Sequence, residues 1–516
     1  MRTTTTKLLA LASAAALGLA ACGGGGEEEA VAVSGEARPA QQEPAAPEGE
    51  QASEGTEVES TVDDAASTLR AELTLLLQEH VHLTALAVDA VVEEGEDAPA
   101  AQGAVQALED DAVVLGEVIG RLPGVEDPDD FLDPWREHLT AYVDYAAARA
   151  DGDDDGAAEA MEALEGVLQP LADFFEQISD EELVADELYG ELETHITMVT
   201  DAIDAHVATA EGGSDGGSAA AGEGDGEAAE GEGSDLFHEA ALHMDVVAAD
   251  LAAGIVAARA EEIPGDPLAV PAETRASLVS GLVEHTYLVV LAAGEAIDVG
   301  GATDDPLVQA AVTTLDGSAD DLAGPMSGAA GNDGREAFLD VWRPFLAATT
   351  DYAAASASGD TAAADAARAT IAGTPSALAG VLQQATEGAA PPEVTALLDT
   401  HVANLLATID ALVAGDPSAY AQARAAAQHA AAIGTAISAA MPTTEPAGGG
   451  GGGDEGATGG EDAEGLNADP NPAAPDQSAE SSSDAGSVGT TDAGASTDDA
   501  GPGAEAGSEG DVDSQG

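Results

Sequence analysis

The chain has 516 residues, with 99 Asp and Glu against 13 Lys and Arg, a formal net charge of −86. A surface of that sign repels nucleic acid and anionic lipid headgroups, so neither is an expected partner. Cys22 is the only cysteine, which excludes an intrachain disulfide.

The chain opens on "MRTTTTKLLALASAAALGLAAC", a short basic start followed by an apolar stretch and small residues. This is an export signal over residues 1–21, too short to be read as a membrane span. Its end, Leu19-Ala20-Ala21-Cys22, resembles the lipobox of bacterial lipoproteins. The resemblance implies cleavage before Cys22, lipid attachment to its thiol, and an extracytoplasmic protein tethered to the cell membrane. Residues 22–64 and 443–516 are built from Gly, Glu, Ala, Pro, Ser and Asp and lack aromatic residues. Such segments bury too little apolar surface to offset chain entropy and are expected to be disordered acidic arms. With "EDPDD" and "DGDDDG" in the middle of the chain as well, the acidity suits a halophilic, high-salt setting in which salt screens self-repulsion.

Between the arms Ala and Leu recur at three- and four-residue spacing, a helical pattern throughout. "STLRAELTLLLQEHVHLTALAVDAVV" near residue 67 aligns with "SLVSGLVEHTYLVVLAAGEAI" near 277, placing His80 on His285 and Arg70 on Arg275. "FLDPWREHLTAYVDYAAARADGD" from 131 aligns without gaps with "FLDVWRPFLAATTDYAAASASGD" from 338; 15 of 23 positions are identical, and His138 falls on Phe345. "LYGELETHITMVTDAIDAHV" aligns with "VTALLDTHVANLLATIDALV", placing His195 on His401. "LFHEAALHMDVVAADLAAGI" aligns with "ARAAAQHAAAIGTAISAAM", placing His243 on His429. The offset is 205 to 207 until a Gly/Glu-rich insertion, residues 211–233, shortens it to 186. The expected fold is all-α: an internal duplication giving two tandem helical bundles of about six helices each, over residues 65–262 and 270–442.

The pieces "EHVHL", "WREHLTAYVDY", "THITMV" and "ALHMDVVAADLAAGI", with "EHTYL", "DYAAA", "THVANL" and "QHAAAIGTAI" in the second copy, resemble a helical domain of secreted proteins from spore-forming bacteria that are labelled copper-amine-oxidase-like. Copper amine oxidases make a quinone cofactor from a tyrosine that follows asparagine. None of Tyr142, Tyr145, Tyr189, Tyr287, Tyr352 or Tyr420 follows an Asn, so that activity is not expected.

The histidines carry the most chemistry. His80, His138, His195 and His243 each lie on an apolar helical stripe in the first copy, as do His285, His401 and His429 in the second. Neutral imidazoles from facing helices can meet on one ion, and three or four nitrogen ligands suit Cu, Zn or Fe. The plainer reading makes each histidine a core residue with its ring hydrogen-bonded to a neighbouring helix. A carboxylate-bridged di-iron site is not expected: the pairs Glu191/His195 and Glu239/His243 have Leu397 and Ala425 at the glutamate positions of copy two. "DGDDDGAAEAME" fits the calcium-loop formula, with Asp151, Asp153, Asp155, Glu159 and Glu162 as ligands, against its reading as an acidic interhelical turn. Trp135/Trp342 and Tyr145/Tyr352 are expected in the core, and Arg70/Arg275 and Arg136/Arg343 are expected to pair with carboxylates.

There is no nucleophile–base constellation and no phosphate-binding loop, so the chain reads as non-enzymatic. It is either a binding module with a histidine metal site or a structural protein whose partner is another envelope component.

Overall fold

The computed structural model describes residues 61–214 and 232–441. The expected export signal with Cys22, most of the expected first arm, all of the second and the centre of the Gly/Glu-rich stretch lie outside the described residues. Within them the fold is all-α, with twelve helices and no strand. The first six are α1 (Ala65–Glu94), α2 (Pro99–Gly120), α3 (Asp129–Asp151), α4 (Asp154–Ile178), α5 (Ala185–Ser214) and α6 (Glu232–Ala258). The second six are α7 (Val270–Asp298), α8 (Pro306–Leu322), α9 (Gly324–Ser358), α10 (Thr361–Ala385), α11 (Val394–Val413) and α12 (Ala419–Ser438).

Local chemistry sets the helix ends. Asp64 caps α1 by accepting from the backbone N–H of Ser67 at 2.7 Å, and Asp305 caps α8 through Leu307. Pro99 and Pro306 open α2 and α8, where the missing N–H has no intrahelical partner to lose. Gly152 and Gly359 close α3 and α9 in the left-handed conformation that a Cβ disfavours.

The helices α1 and α7 form the centre. Each packs against the other helices of its own set except α4 or α10, and the two lie side by side in the same direction. Both are buried on nearly every face, and this explains their weak amphipathicity. They are also, with α11 and part of α6, long and apolar enough by length and composition to cross a membrane. In α1 and α7 the apolar character serves burial within the protein.

The packing order α1–α2, α2–α3, α3–α4, α4–α5 and α5–α6 repeats as α7–α8 through α11–α12. Side-chain pairs repeat with it. Arg136 pairs with Glu109 of α2 at 2.6 Å, and Arg343 with Asp316 of α8 at 2.9 Å. The Tyr145 hydroxyl donates to Asp204, and that of Tyr352 to Asp410. Arg70 reaches Glu273 across the seam, and Arg275 reaches back to the Val62 carbonyl and Thr68.

The expected boundary between residues 262 and 270 is a turn, and the two six-helix sets do not separate there. Val279, Val283, Tyr287 and Val290 of α7, with Tyr420, Ala423, Ala427 and Ala431 of α12, belong to the apolar core of the first set. Linear order does not reveal this, because a helix apolar all round can be buried by its own set or by the neighbouring one.

Candidate metal centre

Three of the stripe histidines converge. His80 at mid-α1, His138 on α3 and His195 on α5 are each buried, and one ring nitrogen from each lies within 4.8 Å of the others. The Nε2 atoms of His80 and His195 are 3.1 Å apart. Two nitrogens held tetrahedrally at about 2.0–2.1 Å from one ion would be about 3.3–3.4 Å apart, so this pair is already near ligand spacing.

The surroundings are apolar and aromatic. Trp135, one turn before His138, places its ring 4.9 Å from His80 and 5.3 Å from His138. Tyr142, one turn after, lies 4.5 Å from His138. Both nitrogens of His138 and the Nδ1 atoms of His80 and His195 are buried without a hydrogen-bond partner. A buried polar group left so costs about 1–3 kcal/mol; an ion on the Nε2 atoms of His80 and His195 would take up one His138 nitrogen and leave the N–H of each ring buried.

Burial, and then the neighbouring rings, push all three histidines well below the usual imidazole range. They are therefore neutral near pH 7, with lone pairs available to a cation rather than protons that repel it.

His243 stands apart. Its ring is 6.4 Å from that of His195, and its Nε2 faces the Glu191 carbonyl at 3.3 Å and the Glu191 carboxylate at 3.7 Å. The second set repeats this arrangement: His429 Nε2 lies 2.9 Å from the Leu397 carbonyl. In both sets, then, the outermost histidine fastens the last helix to its neighbour.

The core of the second set is incomplete. His285 and His401 are buried with Nε2 atoms 3.4 Å apart, and Trp342 lies 4.5 Å from His285. The third position is filled by Phe345, whose ring is 5.6 Å from that of His285. Two nitrogens and a benzyl ring stand where the first set has three imidazoles.

The calcium pattern does not form a loop. Helix α3 runs to Asp151 and α4 starts at Asp154, leaving a two-residue turn in which Asp153 caps the Gly156 N–H at 3.1 Å. Asp155, Glu159 and Glu162 are therefore helical and cannot wrap an ion with Asp151 as a twelve-residue loop would. Alanine-rich sequence after the turn favours the helix over the loop. Glu79 and His82 have the Glu-x-x-His spacing of di-iron bundles but do not act together. Glu79 accepts from the Tyr287 hydroxyl at 2.8 Å, while His82 stacks on the Tyr287 ring at 5.3 Å.

That glutamate belongs to a buried polar layer in the seam, which spacing within single helices did not reveal. Glu79 and Asp111 are fully buried and share Arg424 of α12, at 3.6 and 3.4 Å. Burial raises the carboxyl of Glu79 despite Arg424, and burial with Glu79 beside it raises Asp111 well above the usual range. The aligned Glu284 is likewise buried and meets His238 of α6. The available signal was the pair "EHVHL" and "EHTYL": a glutamate kept beside an inward histidine in both copies.

Comparison with protein-family models, with curated proteins and with solved structures found no match.

Proposed function

We propose that this protein is a lipid-anchored extracytoplasmic module, made by duplication of a six-helix unit, that binds one transition-metal ion in its first unit. The ligands are His80, His138 and His195, and the ion is Cu, Zn or Fe. One observation carries the reading: three imidazoles from three helices meet in an apolar core with one ring nitrogen of each within 4.8 Å of the others. The matched helix order and the paired Arg136–Glu109 and Arg343–Asp316 contacts support the duplication. The lipobox at Cys22 supports the anchor. The three rings are buried, which fits retention of the metal rather than turnover.

The test is metal content by mass spectrometry on the mature chain purified in high salt, beside a His80→Ala/His138→Ala/His195→Ala variant. The expected result is close to one metal per chain, lost in the variant while the helical circular dichroism persists. Protein that is metal-free and indifferent to added copper, zinc and iron overturns the proposal. It would leave a duplicated scaffold whose His80–His195 contact is an ordinary core hydrogen bond and whose partner is another envelope protein.

A further inference from the structure

Beside His138 and His195 lies a cavity of about 20 Å³, roughly the room of one water molecule, walled by these two rings, Trp135 and apolar side chains. No carboxylate lines it. One lining residue is not inert. Met244 of α6 is buried and lines the same cavity as His138 and His195. In the second set the aligned position is Ala430. Among the differences between the two sets in this core, two change donor atoms that suit a metal: His138 for Phe345 and Met244 for Ala430.

Resting on the histidine reading above, we infer that Met244 is a fourth ligand and that the complete set, three imidazoles and one thioether, holds a monovalent copper ion. Two independent considerations select that ion. A thioether is a soft donor, which favours Cu(I) over Zn(II) or Fe(II). The transfer energy of an ion into a low-dielectric interior grows with the square of its charge, and here no carboxylate is at hand to offset a second positive charge. A Met that merely fills a gap in the core is the competing account.

The test uses the mature chain under anaerobic, reducing conditions, titrated with Cu(I) against a chromophoric chelator and separately with Ag(I) and Zn(II). Met244→Leu preserves volume, and His138→Phe copies the second set. The wild type is expected to take one Cu(I) and one Ag(I), with a metal–sulfur distance near 2.3 Å, the usual metal–thiolate length, by X-ray absorption. Met244→Leu is expected to lose that sulfur and weaken Cu(I) by about 10–100-fold, the scale of a supporting residue at a metal site, while Zn(II) affinity changes little. Cu(I) bound without sulfur, or bound equally by Met244→Leu, overturns the Met244 assignment and leaves the histidine site standing. Zn(II) held more tightly than Cu(I) overturns the choice of ion. Failure of the wild type to bind Cu(I), Ag(I) or Zn(II) overturns the histidine site itself.

Discussion

The two six-helix sets repeat one packing order around different interiors. Trp135 and Trp342 stand against His80 and His285 alike, the Tyr–Asp pairs recur, and the last helix of each set is fastened by a histidine on a carbonyl. The interiors differ at several positions, among them His138, Tyr142 and Met244, which align with Phe345, Thr349 and Ala430. The comparison separates what the fold needs from what it carries. A phenyl ring serves the core at position 345, so an imidazole at 138 is not required for packing. Its buried nitrogens, both unpartnered, have no structural account.

The strongest way to break this comparison is to exchange the differing residues. His138→Phe is expected to abolish stoichiometric metal binding, a loss of at least about 100-fold, with the helical circular dichroism unchanged. The reciprocal Phe345→His is expected to raise metal content from one to two per chain, more firmly when Ala430→Met is added. Mass-spectrometric stoichiometry on both variants checks the pair. A wild-type value retained by His138→Phe would remove that ring from the site.

The next largest effect concerns stability rather than metal. Arg424 is placed against two fully buried carboxylates, whereas Arg343 pairs with Asp316 and Asp320 at the surface. Arg424→Ala is expected to destabilise by about 3–5 kcal/mol, because it leaves buried charge uncompensated or forces protonation. Arg343→Ala should cost less than about 1 kcal/mol. Denaturant unfolding in high salt measures both. Equal effects would mean that the seam is no more demanding than the surface.

How much of this was legible beforehand follows from the range of each interaction. Helix content and the six-plus-six pattern are local, and capping residues such as Asp64 and Asp305 can be read directly. The inward direction of His80, His138 and His195 follows from 3.6-residue periodicity, but their common level in the bundle does not. That level depends on how far α3 and α5 slide along α1, which the side chains between them decide. His243 fitted the same stripe rule yet turns its Nε2 to Glu191. Met244 is its sequence neighbour and was hidden because a methionine on an apolar stripe looks like packing. The seam was illegible for a different reason: Glu79, Asp111 and Arg424 come from three helices, two in one set and one in the other, and no spacing links them.

The smallest expected effect lies at the far end of the seam, where the last turns of α1 and α7 come side by side. There Asp89, Glu93 and Glu94 face Glu295 and Asp298, with Asp305, Tyr420 and His206 close by. Burial, followed by the charges of Asp298 and Asp305, raises the Glu295 carboxyl to about 7. His206 cannot offset this near neutral pH, since burial lowers it to about 4. A carboxyl raised on folding contributes stability that is fully present below its unfolded value, near 4.5, and is lost as pH rises through about 7. The buried histidines work in the opposite sense, since the unfolded chain takes up protons below about pH 6.5 that the folded core refuses. The two trends overlap in the wild type, so the informative quantity is the difference made by Glu295→Gln. That substitution is expected to raise the midpoint of thermal unfolding at pH 8 and to leave it nearly unchanged at pH 5. The gain at pH 8 should shrink at high salt, which screens the repulsion between neighbouring carboxylates. An equal change at both pH values would show that Glu295 acts through packing rather than charge.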